Sequence, residues 1–294
     1  MATPPRRASD YRPSVNQVWD AASRKFVRAA GFVLFCLLAL VVLFPIFFAF
    51  NSALKEQTAY KTDLLAPSIP PNIDALVRVW SIIDVPHSLI NSVLVATCTM
   101  LGVWFAASTA AYAYTKLRIR GSGILFALIL GSLMIPVQVI FSPLFLVMLR
   151  LNLIDSQIGL ILALITFQLP VATFMFATYF RRLPSEVADA AAIDGANTLQ
   201  TLWHVILPMS RPALATVGVI SFVWSWNELL LPIIIIQSVD LQTLTVRAAQ
   251  MQGNYVPEPV LQAGGVAFAL VPMLIAFLVA QKQLVSAVTV GATK

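Results

Sequence analysis

Six apolar stretches, each close to the length of a membrane-crossing helix, constrain the fold of this chain more than any other feature. They fall at 31–50, 87–114, 124–149, 158–179, 213–236 and 264–281. A helix of about 20 apolar residues covers the ~30 Å of hydrocarbon in a bilayer. The alternative, six such runs packed inside a water-soluble globule, needs a polar surface that this sequence lacks. Only 11% of its 294 residues are charged, against 59% hydrophobic, and its mean hydropathy is +0.84. The expected fold class is therefore an all-α integral membrane protein with six transmembrane helices. Lys and Arg set its orientation: with the first segment inside, the inner segments hold 14 of the 19 basic residues and the outer ones hold 5. Both termini are expected to be cytoplasmic. Residues 1–25 form a polar tail, with Val15, Val18, Trp19 and Ala22 on one face of a possible short surface helix, and 26–294 form the transmembrane domain. The first apolar run starts too far into the chain for a cleaved secretory signal and is expected to be retained.

Between the fourth and fifth runs lies a polar, alanine-dense insert, LPSEVADAAAIDGANTLQTLWHVILPMSRP, from Leu183 to Pro212. Pro184 suits the first turn of a helix, and Glu186 and Asp189 near that end favour the helix dipole. Ala188, Ala191, Ala192 and Gly195 recur at helical spacing, giving one face almost no bulk and allowing close approach to another surface. Gly195 also permits the backbone geometry that ends a helix. Asn197 and Gln200 read as an N-cap and its reciprocal partner, opening a second short helix that carries Leu202, Trp203 and Ile206.

The run Asp189, Ala190, Ala191, Ile193, Asp194, Gly195, Ala196, followed by Ile206, Leu207, Pro208, resembles the cytoplasmic coupling loop of binding-protein-dependent ABC importer permeases, in particular their carbohydrate, maltose-transporter branch. That family usually has Glu where this chain has Asp189. The resemblance extends through Asn91-Ser92, Trp226-Asn227-Glu228 and Leu231-Pro232 to the tail Gly291-Ala292-Thr293-Lys294. It implies that the loop, including Glu186, docks on an ATPase and passes its motion to the fourth and fifth spans. It further implies a heterodimer with a second, related permease, two ATPase subunits that bind ATP and Mg, and an extracytoplasmic binding protein. The outer segments, 51–86 and 237–263, are then where the binding protein docks. A bacterial or archaeal cell membrane is the expected location.

Polar residues inside apolar runs are costly unless they face a cavity or a partner, so they mark the candidate solute path. Glu228 is the one carboxylate well within a run, and Ser221, Trp224 and Asn227 precede it on the same segment. Pro136 and Pro143 should kink or break the third run, which brings Gln138 forward as a second candidate; Gln168, just before Pro170, is a third. For each, helix packing is the competing role. The small residues of 106–111 are expected to pack helices closely, and Cys36 and Cys98 to be buried apolar groups.

Several functions are excluded or demoted. The sequence has no G-x-x-x-x-G-K-[ST] phosphate loop, so ATP hydrolysis is expected from another polypeptide and this chain binds no cofactor. His87 and His204 are isolated, and the 13 acidic residues fall mainly in loops, so no catalytic or metal constellation is expected. An ion-coupled secondary transporter would show several intramembrane ionisable residues rather than Glu228 alone. The net charge of +6 reflects topology, with no aromatic-interleaved basic surface for nucleic acid. A neutral di- or oligosaccharide is favoured as solute, with a sugar alcohol or glycerol phosphate ester as the alternative, since no Lys or Arg lies clearly inside a run.

Overall fold

The structure, a computed structural model, describes residues 15–117, 119–253 and 258–292. Most of the polar tail, Asn254, Tyr255 and Pro257 of the second outer segment, and Thr293 and Lys294 lie outside them. Every regular element among the described residues is a helix, and the chain divides into two units, Met1–Asn51 and Ser52–Lys294. The first unit holds most of α1 (Val15–Ala53), a single helix of 39 residues. The surface helix expected at Val15 is the start of this element rather than a separate one. Pro45, inside it, does not end it.

The second unit is built around α4 (Val85–Lys116) and α7 (Gln157–Phe180). These helices run in the same direction. Gln157 Nε2 donates to Asn91 Oδ1 at 2.9 Å near their N-terminal ends, and Lys116 Nζ donates to the Leu183 carbonyl at 2.7 Å near their C-terminal ends. Small side chains let them approach. Ala107, Ser108 and Ala111 of α4 and Gly159, Ala163, Ala172 and Ala177 of α7 are all buried. A Cβ on Gly102 would lie 2.2 Å from Ile165 Cδ1, so the Ile165 side chain packs into the space that glycine leaves.

Among the described residues, four helices are long and apolar enough to cross a membrane, within α1, α4, α7 and α14 (Pro259–Ala292), and up to six spans result if each of two bent pairs counts as one. The third run is two helices, α5 (Ser122–Gly131) and α6 (Val137–Arg150), bent by 107°. Pro136 stands at this break in extended geometry, whereas Pro143 lies inside α6 without ending it. The fifth run is also interrupted: α11 (Arg211–Asn227) stops at Glu228, and the six-residue α12 (Leu230–Ile235) follows. Both outer segments fold further than expected. Residues 51–86 contain α2 (Gln57–Thr62) and α3 (Asp74–Ile82), and the second segment contains α13 (Leu244–Gly253). Apolar residues of α3 and α13 are buried in one cluster with Trp226, which includes Val79, Ile83, Leu244, Met251 and Leu261, and Tyr60 of α2 packs against it half-buried.

Cys98 corrects an expectation. It is exposed on α4, where Leu94, Leu101 and Phe105 are exposed too. A thiol on an apolar helix within a membrane has no need of burial in its own chain.

Candidate functional site

The 183–212 segment folds as α8 (Ser185–Ile193), α9 (Thr198–Thr201), a π-turn over Leu202–Ile206, and α10 (Leu207–Met209). Pro184 precedes the first helix as its N-cap instead of occupying the first turn. Gly195 ends that helix at φ +85°, with Ala196 N–H donating to Ala191 O at 3.0 Å and Gly195 N–H to Ala192 O at 3.1 Å. Asn197 and Gln200 form the reciprocal cap: Gln200 N–H donates to Asn197 Oδ1 at 2.9 Å, and Asn197 N–H to Gln200 Oε1 at 2.8 Å. The π-turn has a steric reason. In a regular α-helix the Pro208 ring would meet the carbonyl four residues back, and the wider turn relieves that crowding. The chain then bends by 86° into α11.

One side of this segment faces its own bundle. Thr201, Leu202, Ile206 and Leu207 are buried, the last three in a cluster with Ala107, Ala111 and Tyr112 of α4 and Phe176 and Phe180 of α7. Trp203 stacks on Phe105 of α4 with ring centres 6.1 Å apart. Burial divides the residues of the motif into two sets. Ala191, Ile206 and Leu207 are turned inward and cannot reach a partner, because their apolar side chains complete the chain's own core. Glu186, Asp189, Ala190, Asp194, Gly195 and Pro208 are exposed, Ala196 is half-buried, and Ile193 is 87% exposed at the end of α8.

The candidate path residues come together about halfway along α7. Gln168 is roughly 17 Å along that helix from Gln157 and roughly 18 Å from Phe180, at a rise of 1.5 Å per residue. A cavity of about 200 Å³ is lined by Gln138, Phe141, Phe167, Gln168, Trp224 and Glu228, with Leu230 and Leu231 of α12. Gln168, Ser221 and Trp224 line an adjoining space, and Trp224, Asn227 and Glu228 line a third beside Met273 and Phe277. Gln168 is buried, donates to Ser225 Oγ at 2.9 Å, and keeps its Oε1 without a partner. Asn227 Nδ2 is bound to the Val223 carbonyl at 2.8 Å. Glu228 differs from expectation: it is not an intrahelical charge but stands at the break, where its Oε1 accepts from Leu230 N–H at 3.0 Å and Leu231 N–H at 3.3 Å. Those amides begin α12 and would otherwise have no acceptor.

A second polar cluster, which sequence reasoning missed, closes the end of the bundle opposite the 183–212 segment. Asn91 Nδ2 donates to the Asp240 and Gln242 carbonyls at 2.7 and 3.1 Å, and Leu244 N–H donates to Ser92 Oγ at 2.8 Å. Asp155 Oδ1 accepts from Gln237 N–H at 3.0 Å and Ser238 N–H at 2.7 Å, and Oδ2 accepts from the Ser238 hydroxyl. These bonds hold the Asp155 carboxyl below the ordinary carboxylate range, the Ser238 hydroxyl contributing most. The signal was available in part, since Asn91-Ser92 stands out as a polar pair in an apolar run. The partners, some 150 positions later, were not.

The chain matches known proteins over most of its length. Residues 100–287 match the binding-protein-dependent transport system inner membrane component family. The arabinooligosaccharides transport system permease protein of Bacillus subtilis (strain 168) is 30% identical over 275 residues, covering 91% of this chain and 96% of that protein. The trehalose transport system permease protein of Mycobacterium tuberculosis is 30% identical, covering 86% and 92%. The sn-glycerol-3-phosphate transport system permease protein of Yersinia pestis is 33% identical, covering 72% and 79%. Among solved structures, a chain of a bacterial ABC transporter involved in the import of the acidic polysaccharide alginate has the same fold, with a TM-score of 0.75, 24% identity and coverage of 88% and 97%.

Proposed function

Because the chain belongs to the family of binding-protein-dependent transport system inner membrane components, we propose that it is the permease subunit of an ATP-driven importer for a di- or oligosaccharide. One observation supports this reading above the others. A single helix, α7, runs from the 183–212 segment, where Ile193 and Gly195 are exposed, to a largely apolar cavity that carries Gln138, Gln168 and Glu228 near its own midpoint, within one packed body. Closure of a partner ATPase dimer, which binds ATP and Mg, would move the 183–212 segment. The buried side of that segment would pass the motion to α4, α7 and α11 together, because Leu202, Ile206 and Val217 share one core with Ala107 and Phe176. In this reading the loop and both termini are cytoplasmic, residues 1–25 are a tail on the transmembrane domain, and a second permease completes the path. A binding protein delivers the solute on the side of α2, α3 and α13.

The cavity fits a neutral carbohydrate. Gln138, Gln168 and Asn227 offer amide groups to hydroxyls, and Trp224, Phe141 and Phe167 offer aromatic faces to sugar C–H edges. No Lys or Arg lines these three spaces, and Glu228 adds negative charge. A phosphate ester would meet like charge without a cation to offset it. Relatives that import arabinooligosaccharides and trehalose agree with this choice, whereas the glycerol phosphate relative keeps that ester as the alternative.

The test is copurification with the neighbouring ATPase and second permease, followed by ATP-driven uptake in vesicles. Gly195→Asp and Ile193→Asp are expected to insert and to pair with the second permease, but to lose ATPase recovery and uptake. Unlabelled oligosaccharide should compete for uptake and glycerol phosphate should not. Full recovery and uptake in both variants would mean that the 183–212 segment does not carry the ATPase contact.

A further inference from the structure

The short helix α12 is held at both ends by carboxylates from outside it. Six residues are too few for a helix to stand by itself in water. At its start the Glu228 carboxylate accepts two of its first N–H groups. Beyond its end the chain turns extended at Ile236, and the next two residues bond to Asp155 in the α6–α7 connection. Asp155 returns a bond of its own, N–H to the Ile235 carbonyl at 2.8 Å, and holds a left-handed φ of +55° to make it.

The position of α12 gives these contacts a consequence. Leu231, Ile235 and Ile236 pack with Leu160, Ala163 and Leu164 in the first half of α7, while Leu230 and Leu231 line the cavity beside Gln168. The helix thus lies between the cavity and the end of the bundle remote from Ile193. Downstream, Asn91 and Ser92 fix the chain at Asp240, Gln242 and Leu244 through largely buried bonds. The Asp155 bonds to Gln237 and Ser238 are exposed, so they can open without leaving a buried polar group unpaired. The segment able to move is bounded by the Glu228 break on one side and by Asp240 on the other.

We propose that Asp155 is the latch of an extracytoplasmic gate formed by α12: its hold on the 237–238 turn keeps the path closed, and release of that turn lets α12 leave α7. The latch rests on the permease reading above. Asp155 touches no solute in this scheme and is a positioning residue acting through α12.

The full complex of both permeases and the ATPases, reconstituted in proteoliposomes, tests it with and without the binding protein. Asp155→Ala and Asp155→Asn should leave complex recovery unchanged and raise ATP hydrolysis in the absence of binding protein several-fold, because the gate no longer waits for a docked partner. A merely structural role would lower hydrolysis under both conditions. Should Asp155→Ala fail to assemble, Ser238→Ala removes one bond from the opposite side and reports the same change. Assembled variants that depend on binding protein as strictly as wild type would overturn the latch. A wild-type complex whose hydrolysis ignores the binding protein would instead overturn the permease reading, and the latch with it.

Discussion

Gly159 and Gly195 are glycine for different physical reasons, and the difference can be measured. A Cβ on Gly159 would stand 2.1 Å from the Leu153 carbonyl oxygen, a backbone atom that cannot step aside. Gly159→Ala must therefore displace the start of α7 from the preceding connection, at a cost of about 1–3 kcal/mol, typical of overpacking. Gly195 has open space around it and needs only its positive φ. Gly195→Ala should cost about 1 kcal/mol through the left-handed backbone alone. Thermal unfolding in detergent checks both, and a neutral Gly159→Ala would mean that the α6–α7 connection yields. Asp155 adds a pH dependence at the same scale. Its carboxyl is held below its ordinary range by the Ser238 hydroxyl first, then by the Ser238 and Gln237 amides. A group with a depressed folded pKa contributes stability that is present above the unfolded value and is lost as pH falls through the folded one. Wild type should thus unfold at a higher temperature than Asp155→Asn at neutral pH, with the gap closing below the ordinary carboxylate range. A gap that persists there would assign the effect to shape rather than charge.

The elements of the 183–212 segment were the most legible in the sequence, because their signals are local. Asn197 and Gln200 stand three apart, and the structure places both bonds of the capping box between them. Asn197→Ala removes one acceptor and should cost about 1 kcal/mol in the protein, while Asn197→Ser should recover most of it. Melting temperatures of the two variants decide this, and equal values would mean that burial of Leu202 and Ile206 alone holds the segment. Long-range determinants were not legible. The break at Glu228 reads in sequence as a charge inside an apolar run, since nothing nearby announces that its carboxylate will cap α12. The same limit applies to Pro136 and Pro143, two prolines in one apolar run. One sits at a 107° break and the other inside a continuous helix, and the choice depends on what packs around them. The inward turn of Ala191 was hidden for a related reason. Helical spacing gives a face, but only the neighbours decide which surface it meets.

At the scale of the whole molecule, the parallel direction of α4 and α7 determines how many times the second unit passes from end to end. Both helices finish beside the 183–212 segment, as the Lys116–Leu183 bond requires, and both begin near the Asn91–Gln157 bond. The chain between them must return from one end to the other, so α5 and α6 together make one passage despite their bend. The same reasoning applies to α11 and α12, which start at the 183–212 segment and end at Asp155. The ion pair of Arg78 with Glu258, 2.9 Å, ties the start of α14 to α3 at the Asn91 end, and α14 then runs back. Five passages result, an odd number, so Ser52 and the end of α14 belong to opposite sides. Single cysteines test this in a background with Cys36 and Cys98 replaced by Ala. Ile69→Cys, at a position 85% exposed in the connection before α3, should react with an impermeant maleimide added to intact cells. Ile193→Cys should react only in inverted vesicles. Labelling of both from the same side would require an even number of passages between residues 69 and 193, and the bond of Lys116 to Leu183 at one end and of Asn91 to Gln157 at the other could not then both stand.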